Sequence, residues 1–393
     1  MKNIQKLLLS FTLTFFIFSC ASTSQEQNSS HSDSNELSLV FCGDIMAHTQ
    51  NFKMNDFNLI WQDVKDITLN SDFTIANVEA PVNDEMPFLN YPNFNMNSSY
   101  PQAAIDAGVN VITLANNHTN DHFETGIIAT KKWSQEISAR YQNSERPVYF
   151  SGLKQDVSSL ENAKNSPETF CTFSKGNFKI LFFGVTQLLN TPGARDMINY
   201  YPGTKKGRAA LLAKIKELRE QNPCDVFILA LHSDEIEYDL TVENSRELFY
   251  KQLLDSGVDI LWSNHPHVVK PVEYIYEKKS GKIKKVILYS TGNTISGQRR
   301  NPHFNNPANI FDYTGDGIFV SLLLKKSNGE IYIDSHKINY ITTFIDKSNN
   351  YLIKKMDTDF YNELEQNGQT VWKNYLIERE KLMREIKEIQ TWQ

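Results

Sequence analysis

Carboxylate, amide and imidazole side chains recur in this sequence directly after short apolar runs. The first such run, residues 37–42, is followed by Gly-Asp-Ile-Met-Ala-His, and later runs are followed by Glu, by Asn-Asn-His or by single histidines. The residues concerned are Asp44, His48, Glu79, Asn116, Asn117, His118, His232, His265 and His267. Carboxylate and amide oxygens combined with imidazole nitrogens, without thiolates, form a ligand set for Mn, Zn or Fe(II). A carboxylate shared by two such cations would clamp the attacking and leaving oxygens of a displacement.

The positions of these residues carry more information than their types. A lone aspartate after glycine is usually a turn residue, and a lone histidine is more often a hydrogen-bonded, partly buried side chain than a ligand. Of the nine histidines, however, five follow predicted strands. In α/β sheets, ligands bind beyond the carboxyl ends of the strands, so polar residues at several such ends are expected to converge.

The elements that would position them are short apolar runs alternating with helical patterns. Strands are predicted at residues 37–42, 72–78, 109–114, 178–185, 225–231, 258–262 and 286–290, and helices at 125–141, 205–221 and 243–256. This alternation predicts an α/β domain with a mostly parallel sheet. Residues 318–324 and 331–338, on either side of a Ser-Asn-Gly turn, are predicted to form an antiparallel hairpin.

The N-terminus indicates export. Lys2 and Lys6 precede an apolar run, residues 7–18, which as a helix would reach only about 18 Å and is too short to span a bilayer. The following Ser-Cys-Ala-Ser resembles a bacterial lipobox. We therefore predict a lipoprotein-type signal peptide at 1–19 and lipidation of Cys20. Plain secretion or an uncleaved anchor is the alternative.

The rest of the chain divides into three predicted parts. Residues 20–35 are rich in serine and lack large apolar side chains, so they are predicted to form a flexible tether. A folded domain at 36–345 is followed by a helical C-terminal extension at 346–393, whose apolar stripe is predicted to pack on the body. The 393 residues hold 40 Lys and Arg against 46 Asp and Glu, without basic runs. A mildly acidic chain of this kind is a poor partner for nucleic acid.

Six ordered blocks resemble a known family. They are GDIMAH (43–48), NVEAPV (77–82), LANNHTNDH (114–122), ALH (230–232), DILWSNHPHVVKPVE (259–273) and YSTGN (289–293). The set resembles the CapA family of poly-gamma-glutamate capsule-biosynthesis proteins, in the calcineurin-like metallophosphatase superfamily, over about residues 37–325. This resemblance implies a sandwich of mixed sheets flanked by helices.

The resemblance also implies the roles of the strand-end residues. It implies two divalent cations, with Glu79 bridging them. One cation would be held by Asp44, Glu79 and His267, and the other by Glu79, Asn117, His232 and His265. His118 would lie over the substrate as general acid or electrostatic stabiliser, and a water activated by the cations would be the nucleophile.

Other residues in the matching blocks have open roles. Asn116, Glu273 and Asn293 either contact the substrate, support the residues that do, or make structural hydrogen bonds. Asp121 and His122 are interpreted mainly as residues of a local helix start.

The sequence departs from the superfamily pattern at three places, and the first is Glu79, which replaces the usual bridging aspartate. Met46 stands where phosphatases carry a histidine, and His48, two residues further, either replaces it or faces the substrate. The segment after His232, residues 233–238, is one residue longer and more acidic than usual, which leaves its contacts open.

Arg299 and Arg300 either recognise anionic groups or belong to a solvated loop.

Three functions remain open from the sequence. The first is a membrane-anchored, metal-dependent hydrolase or transferase that acts on an anionic cell-surface polymer, polyglutamate, with capsule-synthesis proteins as partners. The second is a polymer-binding or export factor without catalysis, favoured by Met46. The third is a generic extracytoplasmic metallophosphoesterase. The predicted location in each case is the cell envelope.

Overall fold

The computed structural model describes residues 34–386 and 388–393. The predicted signal segment, Cys20 and nearly all of the predicted tether lie outside the described residues. Among the helices that are described, none is long and apolar enough to cross a bilayer.

Fifteen strands and eight α-helices form the described part of the chain. The strands are β1 Glu36–Ile45, β2 Phe73–Val78, β3 Val111–Thr113, β4 Tyr149–Ser151, β5 Cys171–Lys175, β6 Phe178–Thr186, β7 Val226–His232, β8 Ile260–Asn264, β9 Val272–Tyr276, β10 Ile283–Leu288, β11 Asn293–Ile295, β12 Asp316–Ser327, β13 Glu330–Ile345, β14 Tyr351–Lys355 and β15 Ile389–Trp392. The helices are α1 Lys65–Thr68, α2 Ser99–Asp106, α3 Phe123–Tyr141, α4 Leu160–Asn165, α5 Lys205–Gln221, α6 Asn244–Asp255, α7 Thr358–Gln366 and α8 Thr370–Arg384. Short 3-10 helices cover Phe57–Val64, Arg195–Met197 and Ile310–Gly315.

The strands form one long mixed sheet with the order β4-β3-β2-β1-β12-β13-β10-β8-β7-β6-β5. Parallel pairs β1–β2, β2–β3, β6–β7 and β7–β8 lie toward its two ends, and the antiparallel hairpin β12–β13 lies in the middle. The two ends face each other, because β3 and β4 both contact β6. The sheet therefore closes into a two-layered sandwich.

Alternation along the strands explains this layering. In β1, Leu37, Leu39 and Phe41 enter the core between the two sheet layers, whereas Val40 and Cys42 face helices α2 and α3. In β7 the same period of two sends alternate residues to the sandwich core and to the face covered by α5 and α6. The result is four layers, helices outside and sheets inside, as the predicted α/β class with mixed sheets flanked by helices requires.

The C-terminal region differs from the prediction in one respect. Residues 346–393 are not helical throughout: β14 pairs with β13, and Ile389–Trp392 pairs in parallel with β9. Between these strands, α8 buries Tyr375, Leu376 and Met383 in the sandwich core, so the helix packs on the body as predicted. The strand β15 begins soon after α8 ends, and it completes the edge of the sheet beside β9.

Candidate metal centre

The predicted strand ends do meet, and backbone register explains how. In the parallel ladders of β1, Asp44 lies opposite Asn77 of β2 on one side and opposite Asn293 of β11 on the other. In the other half of the sheet, His232 at the end of β7 lies opposite Asn264 at the end of β8. The carboxyl ends of both halves thus deliver polar residues to one end of the sandwich.

A close backbone contact allows β1 to pass β11 at this point. A Cβ atom on Gly43 would lie 1.8 Å from the carbonyl oxygen of Gly292, and Gly292 itself has a left-handed φ of 70°. Neither position has room or backbone freedom for a side chain. The glycine before Asp44 is therefore a packing requirement of the site.

Two buried carboxylates form its centre. Asn77 Nδ2 donates to Asp44 Oδ1 at 2.8 Å and to Glu79 Oε2 at 3.1 Å, which holds the two acids side by side. Burial, reinforced by the charge of Asp44, raises the pKa of Glu79 well above its ordinary value. Two adjacent acids without water are costly unless a positive charge joins them.

Three histidines surround Glu79. His267 Nε2 and His232 Nε2 lie 3.6 and 3.7 Å from Glu79 Oε1, and the His265 ring centroid is 5.0 Å from that of His232. Burial lowers the pKa of His232 and of His265 well below the ordinary value, and the neighbouring histidines lower both further. Neutral imidazole is the form that ligates a metal ion.

Hydrogen bonds orient two of these rings. His267 Nδ1 lies 3.0 Å from Asn293 Oδ1 and 3.3 Å from Asp44 Oδ2, so Nδ1 carries the proton and Nε2 faces Glu79. Burial lowers the pKa of His267, but its hydrogen bond to Asp44, the charges of Asp44 and Glu237 and the hydrogen bond to Asn293 together raise it above its ordinary value. His232 Nε2 lies 2.9 Å from Asn117 Oδ1. Ligating histidines typically use one ring nitrogen in this way to fix the other.

The cluster fits a divalent cation. Glu79, His265 and His267 each offer a ligand atom within 4.8 Å of the others, and so do Asp44, Glu79 and His232. The two sets share Glu79. Among the described residues, Glu79 Oε1, His232 Nδ1 and His265 Nδ1 are buried without a hydrogen-bond partner. Three open atoms of metal-ligating types gathered around one carboxylate are what a bound cation would complete.

The backbone around two of the histidines is strained. His265 has φ of 107° and His267 has φ of 57°, both in the left-handed region. Such conformations cost about 1–3 kcal/mol each and persist where the surrounding structure imposes them. The His-Pro-His segment after β8 is therefore held for the position of its side chains.

His118 lies beside this cluster with its own orienting acid. Its Nδ1 is 2.7 Å from Asp121 Oδ2, which also accepts the backbone N–H of Phe94 at 2.7 Å. Nε2 is consequently directed away from Asp121, with Asn190 Nδ2 at 3.3 Å. Asp121, interpreted from sequence as a helix-start residue, is here the partner that fixes the His118 ring.

His48 does not join the metal-ligand sets. Its Nδ1 accepts the backbone N–H of Gly297 at 3.2 Å, and its ring packs edge-on to Phe94. Burial lowers its pKa to about 3, and the nearby His267 and His118 contribute. A neutral ring with Nδ1 occupied carries its proton on Nε2, as a hydrogen-bond donor.

The remaining predicted site residues separate into two groups. Asn116 Nδ2 donates to Asn77 Oδ1 and to the carbonyl of Val78. It therefore orients the amide that donates to both acids of the centre. Glu273 lies elsewhere: it accepts hydrogen bonds from Tyr289 and Thr391, under strand β15. Asn77 had no predicted role, although it stands two residues before Glu79 in the same block.

A cleft of about 330 Å³ opens over the centre. His48, His118 and His267 line it on the inner side, together with Met46 and aromatic side chains. Met46 is buried and extends the apolar core to the edge of the cleft. Its side chain offers the centre no imidazole ligand. The cluster, the oriented His118 and the cleft together define an α/β protein with a candidate divalent-metal centre.

Comparison with known proteins assigns the chain to a family. The family described as bacterial capsule synthesis protein PGA_cap matches residues 38–298, and the chain belongs to that family. It is 25% identical over 346 residues to the capsule biosynthesis protein CapA of Bacillus anthracis, covering 84% of this chain and 75% of that protein. It is 24% identical over 274 residues to the PGA biosynthesis protein CapA of Bacillus subtilis strain 168, covering 67% of this chain and 64% of the relative.

Solved structures with some similarity include two bacterial proteins. A hypothetical protein from Thermus thermophilus is 15% identical with a TM-score of 0.42, covering 77% of this chain and 98% of its own. The calcineurin-like phosphoesterase YfkN from Bacillus subtilis is 12% identical with a TM-score of 0.40, covering 87% of this chain and 98% of the YfkN chain.

Proposed function

We propose that this protein is a metal-dependent hydrolase or transferase in the synthesis or attachment of an anionic capsule polymer, with poly-gamma-glutamate as its polymer. Membership of the capsule-synthesis family supports the polymer-related role. The observation that carries the enzymatic part is the buried cluster around Glu79, whose unpartnered ligand atoms lie beneath a cleft.

The residues of the site would have three roles. Asp44, Glu79, Asn117, His232, His265 and His267 would hold one or two divalent cations, Mn, Zn or Fe. Bound cations of this kind activate water and polarise the oxygen of the bond to be broken. His118, whose Nδ1–H donates to Asp121, would take up a second proton on Nε2 and donate it to the leaving group or to the developing negative charge. His48 would donate a hydrogen bond to the substrate.

The proposed location is the cell envelope. Cys20 would carry the lipid that anchors the chain, and residues 20–35 would serve as a tether between membrane and folded domain. A Cys20→Ala variant expressed with its signal segment should move from the membrane fraction to the soluble fraction. An unchanged membrane fraction would reject the lipid anchor.

Metal content tests the proposal most directly. Residues 21–393, purified with manganese and zinc available, should contain close to two metal ions per chain by mass spectrometry. His265→Ala should lose at least one of them. His336→Ala is the matched control, because His336 stacks on Tyr274 of β9 and lies 3.9 Å from Glu388, and neither residue belongs to the cluster.

The outcomes separate the candidate functions. Metal in the wild type and hydrolysis of γ-linked oligoglutamate, lost in His118→Ala, would support the proposal. Hydrolysis of simple phosphoesters alone would favour a generic phosphoesterase. No metal in the wild type would reject both enzymes and leave the polymer-binding factor, which the apolar Met46 at the edge of the centre favours.

A further inference from the structure

An acidic segment, residues 233–238, and a basic doublet, residues 299–300, face the cleft. In each of them one charged side chain lines the cleft without an ion pair, while the others are paired. In residues 233–238, Asp234 pairs with Arg246 at 2.6 Å, and Glu235 pairs with Lys270 and accepts from Tyr250 at 2.9 Å. Glu237, the third carboxylate, forms no ion pair with any described residue and lines the cleft. The longer, more acidic segment thus leaves one free negative charge there.

The basic doublet repeats this division. Arg299 is buried and pairs with Asp316 at 2.6 Å, so of the two alternatives the solvated loop is wrong for this residue. Arg300 is exposed, has no ion-pair partner in the described part of the chain, and lines the same cleft. Among the described residues of the cleft wall, Arg300 is the one Lys or Arg.

The two free charges lie toward different ends of the cleft. Glu237 lies beside the metal centre, because the backbone N–H of the next residue, Tyr238, donates to the carbonyl of Pro266 at 2.9 Å, between the two histidines of the centre. Arg300 follows Arg299, which donates to the carbonyl of Thr343 at 2.8 Å, in the strand β13 that pairs with β14. The negative end of the cleft is therefore nearer the candidate metal site, and the positive end is nearer the rim at β14.

This distribution is unsuited to the interior of a long polyanion. Each internal unit would bring a carboxylate without a cation. The cations of the proposed metal centre and Arg300 would attract this carboxylate, but Glu237 on the cleft wall would repel it and would attract an ammonium instead. A cleft of about 330 Å³ also has room for a few residues rather than an extended chain. An end group with both an ammonium and a carboxylate matches both charges.

We propose that the cleft recognises the free amino end of an acidic, peptide-like chain, with the ammonium at Glu237 and a carboxylate at Arg300. The inference rests on the proposed function, which supplies the polymer. It predicts that the protein acts at chain ends and discriminates against chains whose amino group is blocked.

Binding of tri-γ-glutamate, with a free or an acetylated amino group, tests this in the metal-loaded protein by calorimetry. The wild type should bind the free amine at least about tenfold more tightly, the size of a charge-assisted hydrogen bond. Glu237→Gln should abolish that preference. Arg300→Gln should weaken both ligands by a similar factor and keep the preference. Glu243→Gln, at an exposed position, should behave as wild type.

Equal binding of the two ligands, tighter binding of the acetylated one, or no binding of either would overturn the inference. Metal content and hydrolysis measured on the same samples keep its failure apart from that of the proposed function. A metal-loaded protein that binds and cleaves both ligands equally would reject end recognition and leave the hydrolase. A metal-free protein that still prefers the free amine would reject the hydrolase and leave end recognition.

Discussion

Two buried groups of charged side chains lie in this fold, and their carboxylates are partnered differently. In the first, which joins α8 to the body, both oxygens of Asp316 are bonded: Oδ1 to Arg299 and Oδ2 to Arg379, at 2.6 and 2.7 Å. Arg379 is fully buried. In the second, around Glu79, a carboxylate oxygen and two imidazole nitrogens have no partner among the described residues.

The difference separates structural from functional charge. A buried carboxylate whose oxygens are bonded by the chain itself needs nothing further, and its removal damages the fold. Glu79 keeps an open oxygen among histidines whose ring nitrogens are also open, and a cation from outside the chain would complete it. Both clusters are equally hidden from solvent, so burial alone would not have distinguished them.

Asp316→Asn should give the largest effect on stability. It leaves two buried guanidinium groups without a full counter-charge, and we expect a loss of about 3–5 kcal/mol in the free energy of unfolding, measured with urea. Asp334→Asn is the control, because Asp334 pairs with Lys325 at the surface and should change stability by less than about 1 kcal/mol. Equal effects of the two substitutions would contradict the structural role of the first cluster.

Glu79→Gln should affect metal binding rather than the metal-free fold. At a metal concentration one hundred times the Kd, the wild type should gain about 2.7 kcal/mol, and the variant should gain little. Thermal unfolding with and without manganese would show this. Glu273→Gln provides the control, since it alters another buried glutamate and should retain the gain. A metal-induced shift that survives in Glu79→Gln would remove Glu79 from the centre.

His48 should make the metal-free protein acid-sensitive. Its pKa of about 3 in the fold lies below the ordinary 6.5, so its contribution is present above pH 6.5 and is lost as the pH falls toward 3. Between pH 7 and pH 5 the loss is about 2 kcal/mol. In urea unfolding, the loss of stability between pH 7 and pH 5 should be about 2 kcal/mol larger in the wild type than in His48→Gln. Parallel pH profiles would show that His48 is not held neutral.

Asp121→Asn should have the smallest effect. It keeps the shape of the residue but weakens the orientation of His118, so turnover of γ-linked oligoglutamate should fall roughly tenfold, about 1.4 kcal/mol, with metal content unchanged. Asp106→Asn, at an exposed position of α2, is the control. Loss of metal in Asp121→Asn would instead make Asp121 part of the metal centre.

Strand ends were predictable because local pattern determines them. Hydrophobic alternation located β1, β2, β7 and β8 within a few residues, and the rule for carboxyl ends of parallel strands predicted that their polar residues converge. The roles of those residues as metal ligands stay a prediction. The antiparallel hairpin β12–β13 could also be predicted from the sequence, since its turn contains Asn-Gly.

The missed residues depend on contacts between distant segments. Asp121 meets His118 within one turn, but its role depends on Phe94, which lies 27 residues away. Arg299 is buried only because Asp316, Thr342 and Arg379 come from three later elements. Glu237 could be singled out only once its neighbours Asp234 and Glu235 were seen to be neutralised. No pattern of single residues contains that information.

The strained His265-Pro266-His267 segment has a consequence for ion choice. Because the fold fixes both rings through left-handed backbone angles and an intervening proline, their separation is set before an ion arrives. A pre-shaped cavity of this kind gives up little conformational entropy on binding, but it cannot adapt its radius. Selection among cations would then depend on ionic size more than on ligand chemistry.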